Sequence, residues 1–382
     1  MRNPFKPTAG ARPPLLVGRE HALEMFEEGL DNGSGAPGLL TIFTGPRGVG
    51  KTVMLSRAED IARAHGWAVV SDTATPGLID RLSRGVQKHL NELGEGPAGR
   101  RITAISIAGT AITTQLPTTE MKTLRELAQE LTGILDSNQS GLLITIDEIH
   151  AVDRTELSAL AAVVQHLIRE DLPVSLVLAG IPKAVSDLLN EDVSTFLRRA
   201  DRVELKDVSI TDVHQALAHI FASTDVAIRT DQLQRAAEAT GGYPFLIQLV
   251  GYHVWRLADN GTVTEKSLID GIAAARRRLG NTVIEAALSD LSGMDRSYLR
   301  KMAEDDRASR TSVIAARMGE SDKYASVYRG RLIDAGIIYA PSRGLVEFAI
   351  PWLREYLRDT AATSHDTPTT TAPTPATDPT PG

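Results

Sequence analysis

Gly45-Pro46-Arg47-Gly48-Val49-Gly50-Lys51-Thr52 is the stretch that decides the fold. Its spacing is G-x-x-x-x-G-K-[ST], a phosphate-binding loop. Leu39-Leu40-Thr41-Ile42-Phe43-Thr44 runs into it, short, apolar and partly β-branched, as a buried strand should be. Val53-Met54-Leu55 leaves it and opens a helical spacing of apolar residues through Ile61 and Ala62. Strand, glycine loop and helix together make the match more than a chance turn. Glycines let backbone N–H groups face phosphate oxygens, and the helix start adds unpaired N–H groups with a partial positive charge. Residues 45–52 thus form the expected cradle, with Lys51 reaching the β and γ phosphates. The Thr52 hydroxyl is placed to ligate Mg²⁺.

A second element answers the first. Leu142-Leu143-Ile144-Thr145-Ile146-Asp147-Glu148 is an apolar strand ending in two carboxylates. Many strands end in acids, but downstream of a phosphate loop the pattern acquires a role. Asp147 is the candidate Mg²⁺ holder and Glu148 the candidate for orienting the water that attacks the γ-phosphate. His150 reads as a loop residue in preference to a contact on the γ-phosphate side. In the strand Val174–Gly180 the end position is Ala179, without a hydrogen-bonding side chain, and Ser175 lies four residues deeper. Sensing of the γ-phosphate from this strand is therefore not expected, and hydrolysis is expected to be slow. Arg198-Arg199 stands just before a short last strand, where an arginine can neutralise charge on a transferred phosphoryl group or simply form a solvated face.

Around these elements strands alternate with helices. Strands are expected at 67–71, 102–107, 142–146, 173–178 and 203–205 besides that before the loop. Helices are expected near 20–30, 77–93, 118–135 and 155–170, the third carrying Leu124, Leu127, Leu131 and Ile134. Residues 94–100 read as a turn and 108–118 as a Thr-rich loop. Such alternation predicts a parallel sheet covered on both faces. From about 210 only helices follow, at 211–223, 231–240, 244–258 and 265–280.

Composition sets outer limits. The 382 residues allow two or three domains; 42% hydrophobic and 23% charged residues are ordinary for a soluble globular chain. There are no cysteines, which removes disulfides, thiol nucleophiles and cysteine-based metal sites. The net charge of −7 argues against a bulk polyanion binder, so any nucleic-acid contact must be local. No secretory leader and no apolar run of about 18 residues is evident, so a cytoplasmic protein without membrane contact is expected.

These residues resemble the AAA+ and STAND branches of the P-loop ATPases. Val17-Gly18-Arg19-Glu20 looks like the segment that lies against adenine in that group, and Asp147-Glu148 matches its acidic pair. Arg198-Arg199 falls where its arginine-bearing segment is expected. Thr240-Gly241-Gly242-Tyr243-Pro244-Phe245-Leu246 resembles its G-x-P element, whose proline, here Pro244, approaches the nucleotide. The helix after Pro244 shows no second sensor arginine, which tilts the resemblance toward a STAND-like regulatory ATPase and away from a replication initiator. The resemblance implies ATP and Mg²⁺ as cofactors, bound by Val17, Gly18, Arg19, the loop 45–52 and Pro244.

Residues 282–358 read as three helices and a hairpin, and resemble a winged helix. Val313, Ala316 and Met318 are candidates to face inward from the second helix. Ser321 is placed to cap the third. In such modules the third helix enters the major groove and the wing meets backbone. The candidate DNA contacts are Lys323, Tyr324, Arg329 and, at the wing tip, Arg343; Tyr328 and Arg331 are also available. The local charge is nearly balanced, so docking of a protein or self-association competes with DNA as the use of this module. Arg276-Arg277-Arg278 is a denser basic run, a solvated face or a second patch.

The expected fold is thus an α/β P-loop NTPase with an AAA+-like parallel sheet, a helical lid and a C-terminal winged helix. Its boundaries are an extended arm at 1–16, the ATPase core at 17–208, the lid at 209–281, the winged helix at 282–358 and a disordered Thr/Pro-rich tail at 359–382. The expected function is a nucleotide-controlled switch. The alternatives are a DNA-binding initiator or transposition-helper ATPase, and a signalling switch that docks a protein.

Overall fold

The computed structural model describes residues 2–8, 10–14, 16–94, 122–151, 153–190 and 196–365. The expected turn at 94–100, strand at 102–107 and loop at 108–118 fall almost wholly outside them, as does the tail from 366. The chain divides into two compact units: Met1–Leu279 with Ile333–Ile337, and Gly280–Leu332 with Ile338–Gly382.

In the first unit α1 (Glu20–Asn32) precedes β1 (Leu40–Thr44), and the phosphate loop leads into α2 (Lys51–Ala64). Then come β2 (Ala68–Thr73), α3 (Leu78–Gly94), α4 (Leu124–Asp136), β3 (Leu142–Asp147), α5 (Arg154–Arg169), β4 (Val174–Gly180), α6 (Pro182–Asn190) and β5 (Asp201–Glu204). The five strands pair in parallel in the order β2-β3-β4-β1-β5. Every residue of β4 is buried, and so are the first five of β3. Continuous apolar strands of this kind belong to a parallel sheet covered on both faces. Register fixes the business edge. Ile146 pairs with Leu178 and Leu178 with Ile42, so Asp147 is level with Ala179 and Phe43. The acidic strand end and the loop therefore emerge on the same edge, with β4 between them.

Four helices complete the unit: α7 (Ile210–Ala222), α8 (Thr230–Thr240), α9 (Pro244–Arg256) and α10 (Glu265–Leu279). Gly241, at φ 58°, ends α8, and Pro244 occupies the first turn of α9, where its missing N–H costs nothing. The N-terminal arm has neither helix nor strand among its described residues, yet it is docked. Phe5 is 2% exposed, its ring fills the space beside Gly251, and it lies 5.6 Å from the Phe221 ring. Further along, Arg12 pairs with Asp60 of α2 at 2.9 Å.

The second unit contains α11 (Glu285–Ser289), α12 (Gly293–Ala303), β6 (Ser309–Arg310), α13 (Thr311–Met318), α14 (Asp322–Asp334, to Leu332 in this unit), β7 (Ile338–Tyr339), β8 (Leu345–Phe348) and α15 (Leu353–His365). The strands form an antiparallel sheet in the order β6-β8-β7. Tyr298, Leu299 and Met302 of α12 build its core with Ile314, Leu332, Val346 and Leu353.

Three expectations are corrected. Ile134 is 40% exposed and Leu135 is buried instead, because the inward face of α4 steps 124, 127, 128, 131, 135. In α13 the inward residues are Ile314 and Ala315; Val313 and Ala316 are exposed, and Met318 is half-buried. Finally, α15 continues to His365, past the expected start of the tail at 359. Ala361 and Ala362 favour helix, and the first helix-breaking proline comes only at 368. Among the described residues no helix is long and apolar enough to cross a membrane.

Candidate functional site

Gly50 adopts φ 95° and caps α2, a left-handed backbone that only glycine takes without cost. The next residue, Lys51, is 7% exposed. Its Nζ donates to Gly45 O at 2.9 Å and Pro46 O at 2.8 Å. Burial pulls this ammonium below the ordinary lysine range, while Glu148 and Asp147 pull the other way.

Thr52 Oγ1 donates to Asp147 Oδ2 at 2.5 Å, so the loop and the acidic strand end meet across the end of β4. A hydroxyl and a carboxylate oxygen are the hard donors Mg²⁺ takes, usually with waters and phosphate completing its shell. Among the described residues no group of three or more acidic or histidine side chains could hold a metal unaided. The residues present therefore fit a Mg²⁺ that arrives with a phosphate chain.

Glu148 has φ 55°, left-handed for a residue with a side chain, at a cost of about 1 kcal/mol. The surroundings hold it there: its N–H donates to Asp147 Oδ1 at 2.8 Å, and its carbonyl accepts from Ala151 N at 2.8 Å. His150 Nε2 lies 3.1 Å from Glu148 Oε2. Strain retained beside a phosphate loop points to a working residue. Ala179 is fully buried and offers only its carbonyl, which accepts from Ile149 N at 3.1 Å. Ser175 Oγ donates to Leu39 O at 2.7 Å and is spent on the sheet.

A third cluster forms where the chain leaves β5. Arg19 donates to the Lys206 carbonyl, and Gly18 faces Val208 and Asp212. Val208 N donates to Gly242 O at 2.8 Å. The Val17–Arg19 segment, residues 206–208 and the start of α9 are thus brought together. Burial lowers the Arg19 guanidinium and raises the Asp207 carboxyl, with each charge opposing the other's shift. Tyr243, beside Pro244, is fully buried and its Oη donates to Arg47 O at 2.7 Å. Arg198 and Arg199 are exposed on a 3₁₀ turn, and Arg198 Nε donates to Leu189 O at 2.7 Å.

Asp207, Tyr243 and His150 were not among the expected site residues. Tyr243 lies within the quoted Thr240–Leu246 stretch and His150 two positions after Glu148, and only the fold gives them and Asp207 their surroundings.

A model of the AAA ATPase domain matches residues 15–178. Among solved structures, the Walker-type ATPase PABY2304 of Pyrococcus abyssi superposes with a TM-score of 0.63 at 17% identity, over 91% of this chain and 97% of that one. Residues 15–178 thus carry an AAA ATPase domain, on the fold of a P-loop ATPase. The Aeropyrum pernix ORC2 protein, solved in ADPNP–ADP complexes, gives a TM-score of 0.61 at 15% identity, over 94% of this chain and 98% of its own. At such identities the likeness is one of fold. Residues 281–357 match a domain of unknown function. A comparison with curated proteins finds no match.

In the second unit, Lys323 and Arg343 are exposed and Tyr324 is 40% exposed. Tyr328 Oη donates to Tyr324 Oη at 3.0 Å. Arg329 is half-buried, its Nε withdrawn from water. Arg331 is committed to the buried Asp295 at 3.0 Å.

Proposed function

We propose that this ATPase is a nucleotide-controlled switch in which the state of ATP on residues 45–52 sets the posture of helices α7–α10 and, through them, of the C-terminal unit, read as a winged helix. The observation that carries this reading is the tie between the start of α9 and the nucleotide-side segments: Gly242 O bonded to Val208 N, beside Arg19 and Asp207. A change at the nucleotide is then felt in the first turn of α9. In this reading Val17, Gly18, Arg19 and Pro244 flank the base, and the loop amides with Lys51 hold the phosphates. Thr52 and Asp147 hold Mg²⁺, which when bound neutralises phosphate charge. Glu148, steadied by His150, orients the attacking water. Arg198 or Arg199 supplies charge neutralisation when it reaches the γ-phosphate. Ala179 supports slow turnover, since a polar sensing side chain is missing at that level. STAND-like regulation fits this set of parts.

The test is backbone hydrogen exchange of the full chain with and without Mg-ATP. Protection of the 45–52 peptide together with the 243–256 peptides is expected. Protection confined to the loop defeats the switch and leaves a plain ATPase.

A second reading, DNA binding by an initiator or transposition-helper ATPase, is favoured by the exposed Lys323, Tyr324 and Arg343. It requires salt-dependent DNA binding that ATP strengthens and that Arg343→Ala and Arg329→Ala weaken. The exposed Tyr324, Val327 and Tyr339 suit a protein partner or self-association equally, and for that use DNA must have no effect.

A further inference from the structure

Tyr243 belongs to none of the roles above, yet with Tyr298 it is the bulkiest fully buried side chain among the described residues. It lies at the lip of α9, and its ring reaches the phosphate loop, 196 positions away in sequence, where Oη donates to the Arg47 carbonyl at 2.7 Å. The fit is tight. A Cβ on Gly48 would fall 1.8 Å from Tyr243 Oη and 2.4 Å from Cζ. The motif G-x-x-x-x-G-K-[ST] leaves that position open, but Gly48 sits at φ 79°, so its left-handed backbone and the tyrosine ring both exclude a side chain there. The base of the ring is equally constrained. Gly242, at φ 79°, leaves no room for a side chain, since its Cβ would lie 2.1 Å from Val208 O. A peptide group is planar and trans, so its C=O and the following N–H point in opposite directions. Holding Arg47 O on the side of the ring therefore fixes the Gly48 N–H on the other.

We propose that Tyr243 is a positioning residue for the phosphate loop: its hydroxyl locks the Arg47–Gly48 peptide so that the Gly48 N–H faces the nucleotide, and it makes the loop and α9 move as one body. This rests on the reading of residues 45–52 as the ATP site. Burial, reinforced by Asp207, raises the phenol well above its usual range, so it stays protonated and remains a donor at all physiological pH values.

The experiment uses the full chain as wild type, Tyr243→Phe and Lys51→Ala. It measures the Kd of a fluorescent ATP analogue with Mg²⁺, KM against kcat, the melting temperature and exchange of the 45–52 and 243–250 peptides. Phe keeps the ring and removes only the donor. Loss of one neutral hydrogen bond predicts a Kd and KM raised about five- to tenfold. The expected companions are faster exchange at 46–50, a smaller change in kcat and an unchanged melting temperature. A Kd and loop exchange within twofold of wild type overturn the proposal, as does an affinity loss matched by global destabilisation. If Tyr243→Phe does not fold, the wild-type chain decides. Nucleotide must then protect both peptides over one concentration range, and loop protection alone overturns the assignment. Lys51→Ala separates the two failures. Wild-type affinity in Lys51→Ala defeats the ATP-site reading itself, whereas its loss beside an unaffected Tyr243→Phe defeats only the tyrosine.

Discussion

Lys51 carries its charge where burial opposes it, and the compensation within the protein comes from Glu148 and Asp147. A charge-assisted hydrogen bond is worth about 1.5–3 kcal/mol, and in the proposed site this ammonium is expected to make more than one to a phosphate chain. Lys51→Ala should weaken ATP binding at least about a hundredfold, read by titration of a fluorescent analogue; unchanged affinity would remove the site from residues 45–52. Glu148→Gln keeps shape and hydrogen bonding but loses the charge that polarises water. It should hold ATP while kcat falls about 10²-fold or more; persistent turnover would take the role from Glu148. Asp207 gives a pH test. Its folded carboxyl sits above the ordinary 3.8, so the folded state binds more protons than the unfolded one between those values, and the group's contribution to stability falls as pH rises through that window. Asp207→Asn should therefore raise the urea midpoint at pH 7, and the gap should close as pH approaches 4. A gap independent of pH would show that the carboxyl's charge is not its cause. The meeting of the loop with the acidic strand end, Thr52 on Asp147, was legible because that pattern sets fixed residue types at fixed spacing. Tyr243 and Asp207 were not, because burial, register and the approach of α9 to the loop give them their surroundings.

At the scale of elements, helices and strands of the first unit follow from periodicity, and their errors are errors of face. Ile134 and Leu135 are adjacent and equally apolar, so sequence spacing alone could not choose between them; the other inward residues of α4 do. In α13, only eight residues long, two turns are too few for a stripe to declare itself, and Ile314 and Ala315 took the inner positions. The prolines of the N-terminal arm mark a segment without helix or strand. Its docking was not legible, because one aromatic in a polar stretch carries no period. Phe5 against Gly251 and Phe221 makes the arm part of the first unit's core. Phe5→Ala should cost that unit about 3 kcal/mol, the usual loss for a buried phenylalanine, measured by urea unfolding followed in the first unit. A loss below about 1 kcal/mol would mean the arm detaches without consequence, since well-packed rings do not leave so cheaply.

The whole molecule has two compact units, each with its own core, so unfolding should show two transitions rather than one. That division supplies a test of coupling that no single-site measurement gives. A ligand binding only the folded first unit at a hundredfold excess over its Kd stabilises that unit by about 2.7 kcal/mol. In an uncoupled ATPase the second transition stays where it was. In a switch the same ligand must also bias the second unit, by a coupling free energy that is about 1–3 kcal/mol in known cases and acts equally in reverse. Glu148→Gln with saturating Mg-ATP holds the bound state long enough for calorimetry and should move both transitions upward, the first more than the second. Lys51→Ala under the same conditions should move neither. A first transition that rises alone would leave the nucleotide chemistry intact and end the proposal that the C-terminal unit listens to it.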